Sequence, residues 1–267
     1  MPDFHIQEIS HFAEDAHYSS SLLAVQHHMG LGDHIHLSGL VRYTVVELGF
    51  EEVLLFCKEV YYQTMTRLYA DDERITVVSV GDIYGGLSET GLVRKHLESL
   101  GRSCVYLRLG FERYPGQLAN KFGYPSFIFY DLACISRDVR WEYFKFSRNR
   151  REESRLYKKL NPKDVPYIFV HDDPSRGFNI PLERVLKASP FADDKLVIRN
   201  DMSENILDFG AILENSAEIH CMGSALFCLA DMLSLEHPSC FYHNIRPVFS
   251  ESEILHQDTR NEWSWVP

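Results

Sequence analysis

The chain has no CxxC pair, no long apolar run and no excess of basic residues, and each lack removes a class of protein. Its six cysteines lie at 57, 104, 134, 221, 228 and 240, without the paired spacing of a zinc ribbon or a dithiol redox motif. Cys57, Cys104 and Cys221 sit inside apolar runs, where a reduced thiol is the ordinary state, so no disulfide framework is expected. No apolar stretch approaches the roughly 18 residues that a membrane-spanning helix needs. The first twenty residues are polar and acidic and lack the basic and apolar regions of a signal peptide. A soluble protein of the reducing cytoplasm is therefore expected. With 27 Lys and Arg against 38 Asp and Glu, the net charge is −11, which disfavours nucleic acid or an anionic membrane as a bulk partner. Two phosphate-binding signatures are also missing. No GxxxxGK[ST] and no helix-opening GxGxxG is present, which sets aside P-loop phosphotransfer and ordinary nicotinamide binding.

What is present is an alternation. The 267 residues, 45% of them hydrophobic, suffice for one large core or two modest ones. Short β-like runs (20–28, 51–57, 74–81, 103–110) alternate with helical spacing (35–49, 58–72, 88–101). Residues 111–160 interrupt this rhythm with a crowd of aromatics and arginines, and "NPKDVP" at 161–166 marks a junction. The alternation then resumes, with strands expected at 166–173, 194–201, 217–223 and 238–246. Helices are expected at 181–189, 203–216 (capped by Ser203) and 224–235, ahead of a polar tail. Strand and helix at this pitch predict βαβ units and parallel sheets. Two domains are expected: 1–160, carrying the aromatic and basic insert 111–160, and 161–267.

Ligands of parallel sheets bind beyond the carboxyl ends of strands, so polar residues there carry the chemistry. In "HHMGLGDHIH" (27–36), Gly30 and Gly32 allow a tight turn with close ligand approach, and Asp33 falls at the start of a helix, where an acid is favoured. A metal site here needs several convergent ligands. His34 and His36, two apart on a helix, face different ways, as do His27 and His28 at a strand end. The turn reading is preferred. In "VHDDPSRGFNI" (170–180), His171 ends a strand and Ser175 and Arg176 stand at its mouth, Arg176 being suited to grip a phosphate or to pair with Asp172 or Asp173. In "EIHCMGSALFCLADML" (218–233), Met222, Gly223, Ser224 and Ala225 lead into a helix whose free N–H groups and Ser224 hydroxyl form an anion site.

These three segments resemble glycosyltransferases of the GT-B type, in particular the ADP-heptose:lipopolysaccharide heptosyltransferase-like group. The resemblance implies two Rossmann-like α/β domains facing across a cleft, in a compact form. "MGLGD" is similar to the group's glycine–Asp turn, which implies that Asp33 is the base for the acceptor hydroxyl. "VHDDPSRGF" is similar to the segment that gives a basic residue to the donor diphosphate, here Arg176 with His171 and Ser175. "MGSA" takes the place of the late strand–turn–helix that holds the nucleotide-sugar phosphates, although the group carries Asp-Thr-Gly where this chain has Gly223, Ser224 and Ala225. The resemblance implies inverting transfer from a nucleoside-diphosphate sugar to a glycan acceptor, with no metal or other cofactor.

An acceptor side is expected at His34, Tyr130, Trp141, Tyr143 and Arg148. Aromatic faces there would stack on sugar rings, and Arg148, Arg150 and Arg151 would meet an anionic acceptor or the donor phosphates. Two other classes stay open on sequence alone: a non-catalytic nucleotide- or glycan-binding module, and a metallohydrolase built on the histidines at 27–36.

Overall fold

A computed structural model describes residues 4–13, 17–27, 30–81, 88–109, 128–189, 195–236, 238–246 and 259–267. The chain divides into two compact units, 1–115 with 126–147, and 116–125 with 148–267.

The first unit is built on five parallel strands, β1 (Ile6–Ile9), β2 (Leu22–Gln26), β3 (Glu52–Cys57), β4 (Ile75–Ser79) and β5 (Cys104–Arg108), in the order β1-β5-β2-β3-β4. All five side chains of β2 are buried, the mark of a strand covered on both faces. Leu22, Ala24, Leu54, Phe56, Cys104 and Tyr106 pack with Val93 and Leu97 of α3 (Glu89–Leu100). Each of the Leu, Phe and Val side chains among them contributes about 1.5–3 kcal/mol on burial. Ser88 caps α3 by accepting from the Gly91 N–H, and Gly101 closes it at φ 60°. The remaining helices are α1 (Leu31–Val46), α2 (Tyr62–Leu68), α4 (Ile128–Ala133) and α5 (Val139–Glu142). A 3-10 turn at Glu59–Tyr61 opens α2.

The second unit repeats the plan with β6 (Tyr167–Val170), β7 (Leu196–Arg199), β8 (Glu218–Cys221), β9 (Ser239–His243) and β10 (Trp263–Val266). All pair in parallel, in the order β10-β9-β8-β6-β7. Its helices are α6 (Arg150–Leu160), α7 (Leu182–Ala188), α8 (Gly210–Asn215) and α9 (Ala225–Met232). The expectation of two Rossmann-like α/β domains holds, with five strands in each.

Several expectations are corrected. The units part at Ser147–Arg148 rather than at 160/161, because α6 packs against α8 and the 3-10 turn Ile206–Phe209 of the second unit. The helix expected from 203 is that turn followed by α8. Asn205 caps it by accepting from Leu207 N–H at 3.0 Å, whereas the Ser203 hydroxyl is bonded to Asp201. Both outermost strands at one end of each sheet escape the sequence reading. β1 (Ile-Gln-Glu-Ile) lies in the polar opening segment and β10 (Trp-Ser-Trp-Val) ends the tail, and at four residues each is too short to show a period against polar surroundings.

Candidate active site

In a doubly wound sheet the crevice opens where the strand order reverses. In the first unit that point lies between β2 and β5, which brings the carboxyl end of β2 and the start of α1 to it. Gly30 is the N-cap of α1 in ordinary extended backbone (φ −79°, ψ 147°), and Gly32 lies inside the helix. Neither glycine has the positive φ expected of the turn. What glycine leaves at 30 is room for a side chain: a Cβ there would stand 2.6 Å from Asp33 Oδ2 and displace it. The half-buried Asp33 carboxylate thus folds back over Gly30 in the first turn of α1, where the helix dipole favours its charge. Behind it, Gln26 is fully buried and accepts from the Tyr106 hydroxyl while donating to Thr90 at 3.3 Å.

His34, expected on the acceptor side, is buried inside this unit, with Nδ1 2.9 Å from His27 Nε2 and the two rings edge to face at 4.2 Å. Burial holds His34 well below the usual imidazole pKa, reinforced by His27 and Lys58. Burial also lowers His36, with Arg140 adding to the effect. His28 lies outside the described residues. Among the described residues, no three His, Cys, Asp or Glu side chains converge as a metal's ligands would.

Of the aromatics expected on the acceptor side, Tyr130 is internal and Trp141 and Tyr143 are half-buried. Tyr130 is fully buried, donating to the His36 carbonyl at 2.6 Å and accepting from Leu40 N–H at 3.2 Å. Its ring ties α4 to α1 and presents no face to a sugar. Trp141 is half-buried beneath the Arg140 guanidinium, 4.2 Å from the ring centre. Tyr143 donates to Glu47 at 2.6 Å and meets Tyr43 edge to face. Arg148 belongs to the second unit and is held there by Glu153 and Glu214, with contacts of 2.5 to 2.9 Å. Two carboxylates already claim its guanidinium, which corrects its assignment to the acceptor side.

In the second unit the strand order reverses between β6 and β8, and this is where two of the sequence motifs meet. His171, one residue past β6 and 4% exposed, lies with Nδ1 3.1 Å from Ser224 Oγ. Ser224 is the N-cap of α9 and accepts from Phe227 N–H at 3.3 Å. Burial drives the His171 pKa down to about 4, against the pull of Asp173 and Asp172. The ring is therefore neutral at pH 7. Ala225 begins the helix, at the end where the helix dipole favours an anion, with the Phe227 N–H already taken by the Ser224 cap. Met222 does not share this role, because it is buried with Ile168, Val170, Ile180 and Val185.

Asp172 and Asp173 divide the local cations between them. Buried Asp172 pairs with Arg199 and accepts from Ile180 N–H at 2.7 Å, which fixes the loop. Asp173 accepts from Ser175 at 2.7 Å and lies 3.5 Å from Arg176 and 3.8 Å from Arg246. The expected pairing of Arg176 with a neighbouring acid is present but long, and half of the Arg176 side chain is exposed. Arg246 was not among the sequence candidates. It follows β9, donates to the Gly223 carbonyl at 2.9 Å and so ties the β8 and β9 ends together. Burial, followed by the like charge of Arg176, lowers its pKa, which places two cations close together beside one carboxylate. Comparing the end of β9 with the other strand ends would have found it.

The fold defines a class, a pair of doubly wound five-stranded parallel-sheet domains in one chain. It is similar to the crystal structure of the glycosyl transferase family 9 protein from Veillonella parvula, with a TM-score of 0.58 at 8% sequence identity, over 94% of this chain and 88% of that one. No family model matches the sequence, and no curated protein matches it either.

Proposed function

We propose that the protein transfers a sugar from a nucleoside-diphosphate sugar to a hydroxyl of a glycan acceptor, with inversion and without a metal ion. The observation that carries this reading is the gathering of His171, Ser224, Arg176, Arg246 and the start of α9 at the β6/β8 reversal. Glycosyl transfer needs positive charge for the departing diphosphate and a base for the incoming hydroxyl. Arg176 and Arg246 supply the first, together with the α9 N–H groups and the Ser224 hydroxyl. Asp33, in the first turn of α1 at the β2/β5 reversal, supplies the second. Direct attack by a hydroxyl deprotonated by a single carboxylate inverts the anomeric centre. The likeness in fold to the Veillonella protein supports the class of reaction, and the donor base and sugar are left to experiment.

The test is thermal unfolding of the chelator-treated protein against UDP, GDP, ADP, CDP and their sugar conjugates. A ligand at about 100 times its Kd adds roughly 2.7 kcal/mol, a Tm rise of about 5–10 °C for a chain of this size. One diphosphate family should give that rise with chelator present, and Arg246→Gln should remove most of it. Asp33→Asn should keep the rise while turnover falls by about 10²–10⁴. A flat panel, or a rise that appears only with added divalent metal, would overturn the proposal. Sugar transfer unchanged in Asp33→Asn would remove Asp33 from the base role.

A further inference from the structure

The proposed reaction uses the carboxyl edge of the second sheet and leaves the face beneath α7 unexplained. That face carries a buried file of polar groups. Glu218 Oε2 lies 3.2 Å from His220 Nε2, and His220 Nδ1 lies 2.8 Å from His243 Nε2. All three residues are at most 1% exposed. With the Glu218 oxygen as acceptor, His220 donates through Nε2 and its Nδ1 accepts from His243 Nε2–H. Buried polar groups are costly unless satisfied, and this set is satisfied in part: Glu218 Oε1 has Lys195 at 3.6 Å but no hydrogen bond, and His243 Nδ1 has none. The set touches Phe241, the register partner of His220 on β9, whose ring stacks on the His220 ring at 4.6 Å and 13°. The His220 ring thus covers one face of the Phe241 ring.

Phe241 is in turn part of the lining of a cavity of about 390 Å³, shared with Arg184, Lys187, Ser264, Trp265 and Val266. The volume is within the range of small-molecule sites. Arg184 and Lys187 stand three apart on α7, and so on one side of it. No acidic side chain is among the lining residues, in a chain whose net charge is −11. Arg184 already gives an N–H to the backbone oxygen of Pro267, which itself lines the cavity, and the other donors of its guanidinium are what a ligand would meet. Its charge also reaches the end of the buried file: burial, then His220, then Arg184 lower the His243 pKa to about 3. The cavity shares no residue with the group at His171, Ser224 and Arg246.

We propose that this cavity is a second binding site, for a small aromatic anion whose carboxylate or phosphate lies between Arg184 and Lys187 and whose ring packs against Phe241. An aromatic ring already backed by His220 and paired cations suit such a ligand, because less is left to order on binding.

The probe is 2-naphthoate, which carries neither a nucleoside nor a sugar, titrated calorimetrically into the full chain at low salt. Saturable binding is expected. The combined variant Arg184→Gln with Lys187→Gln should weaken it at least about tenfold, the loss of a charge-assisted contact. Neutral 2-naphthamide should bind the unaltered protein at least about tenfold more weakly, a comparison that needs no variant to fold. Phe241→Leu, which keeps both cations, should also weaken binding, and Arg176→Gln should leave it unchanged. Absence of binding heat, equal affinity for the amide, or weakening by Arg176→Gln would each overturn the proposal.

Discussion

Gly30 and Asp33 act on one another through space, and this contact gives a residue-scale prediction that separates position from stability. Gly30→Ala has no backbone conflict, because φ −79° and ψ 147° are ordinary for alanine. Its new methyl group would meet Asp33 Oδ2 at 2.6 Å and push the carboxylate away. With Asp33 as the proposed base, turnover should fall at least about tenfold, since displacing such a group by about 1 Å costs up to a hundredfold, while Tm moves little. Equal activity in Gly30→Ala would mean that the carboxylate position seen here is not the working one. Arg148 illustrates the opposite case, a residue held for structure. Glu153 is 1% exposed and, apart from a 3.4 Å contact with the exposed Arg150, is held by it, so Arg148→Met should destabilise by about 3 kcal/mol in a urea titration. A midpoint near that of the unaltered protein would show that Glu153 finds other partners. The candidate acids and cations were legible in sequence because strand ends in an alternating chain are identifiable. Which cations were already claimed was not, because Arg148 and Glu214 are 66 residues apart.

At the scale of elements, α1 is the axis of the first unit. It packs against β3, α4 and α5, and its closest approach is at Gly39. A Cβ there would lie 2.5 Å from the Val139 carbonyl oxygen and 2.7 Å from that of Arg140, both backbone atoms of α5 that cannot rotate aside. Gly39→Ala should therefore destabilise by about 1–3 kcal/mol, read as a lowered urea midpoint with unchanged slope. A neutral result would show that α5 shifts freely. The helical spacing over α1 and the strand at 51–57 were readable from periodicity alone. The interleaving of α1 with α5 was not, since nothing local marks Gly39 as a contact between helices distant in sequence.

For the whole molecule, pH is the lever that many sites share. His34, His36, His171, His220 and His243 all have pKa values below the ordinary imidazole value, chiefly through burial. The sign follows directly. Below about pH 6.5 the unfolded chain gains protons that the folded chain refuses, so stability is full above that pH and falls as the medium becomes acid. His171 continues to resist protonation down to about pH 4, which by itself corresponds to a loss of roughly 3 kcal/mol over the interval. Urea midpoints at pH 7.5 and 5.0 should differ clearly, in a window where most carboxylates are still ionised. Identical midpoints would show that the folded protein protonates these rings freely.

The alternation of apolar strands and amphipathic helices determined by itself that the chain forms parallel α/β sheets, and it placed Asp33, His171 and Ser224 at strand ends. Periodicity is a local property, and one sequence contains all of it. Only the tertiary structure decided that β1 and β10 complete the sheets, that the units part at residue 147, that Tyr130 and His34 turn inward, and that Arg246 joins Asp173 and Gly223. Those outcomes depend on strand order and on competition between distant partners for the same charge or the same buried space, and neither is written in any single stretch of residues.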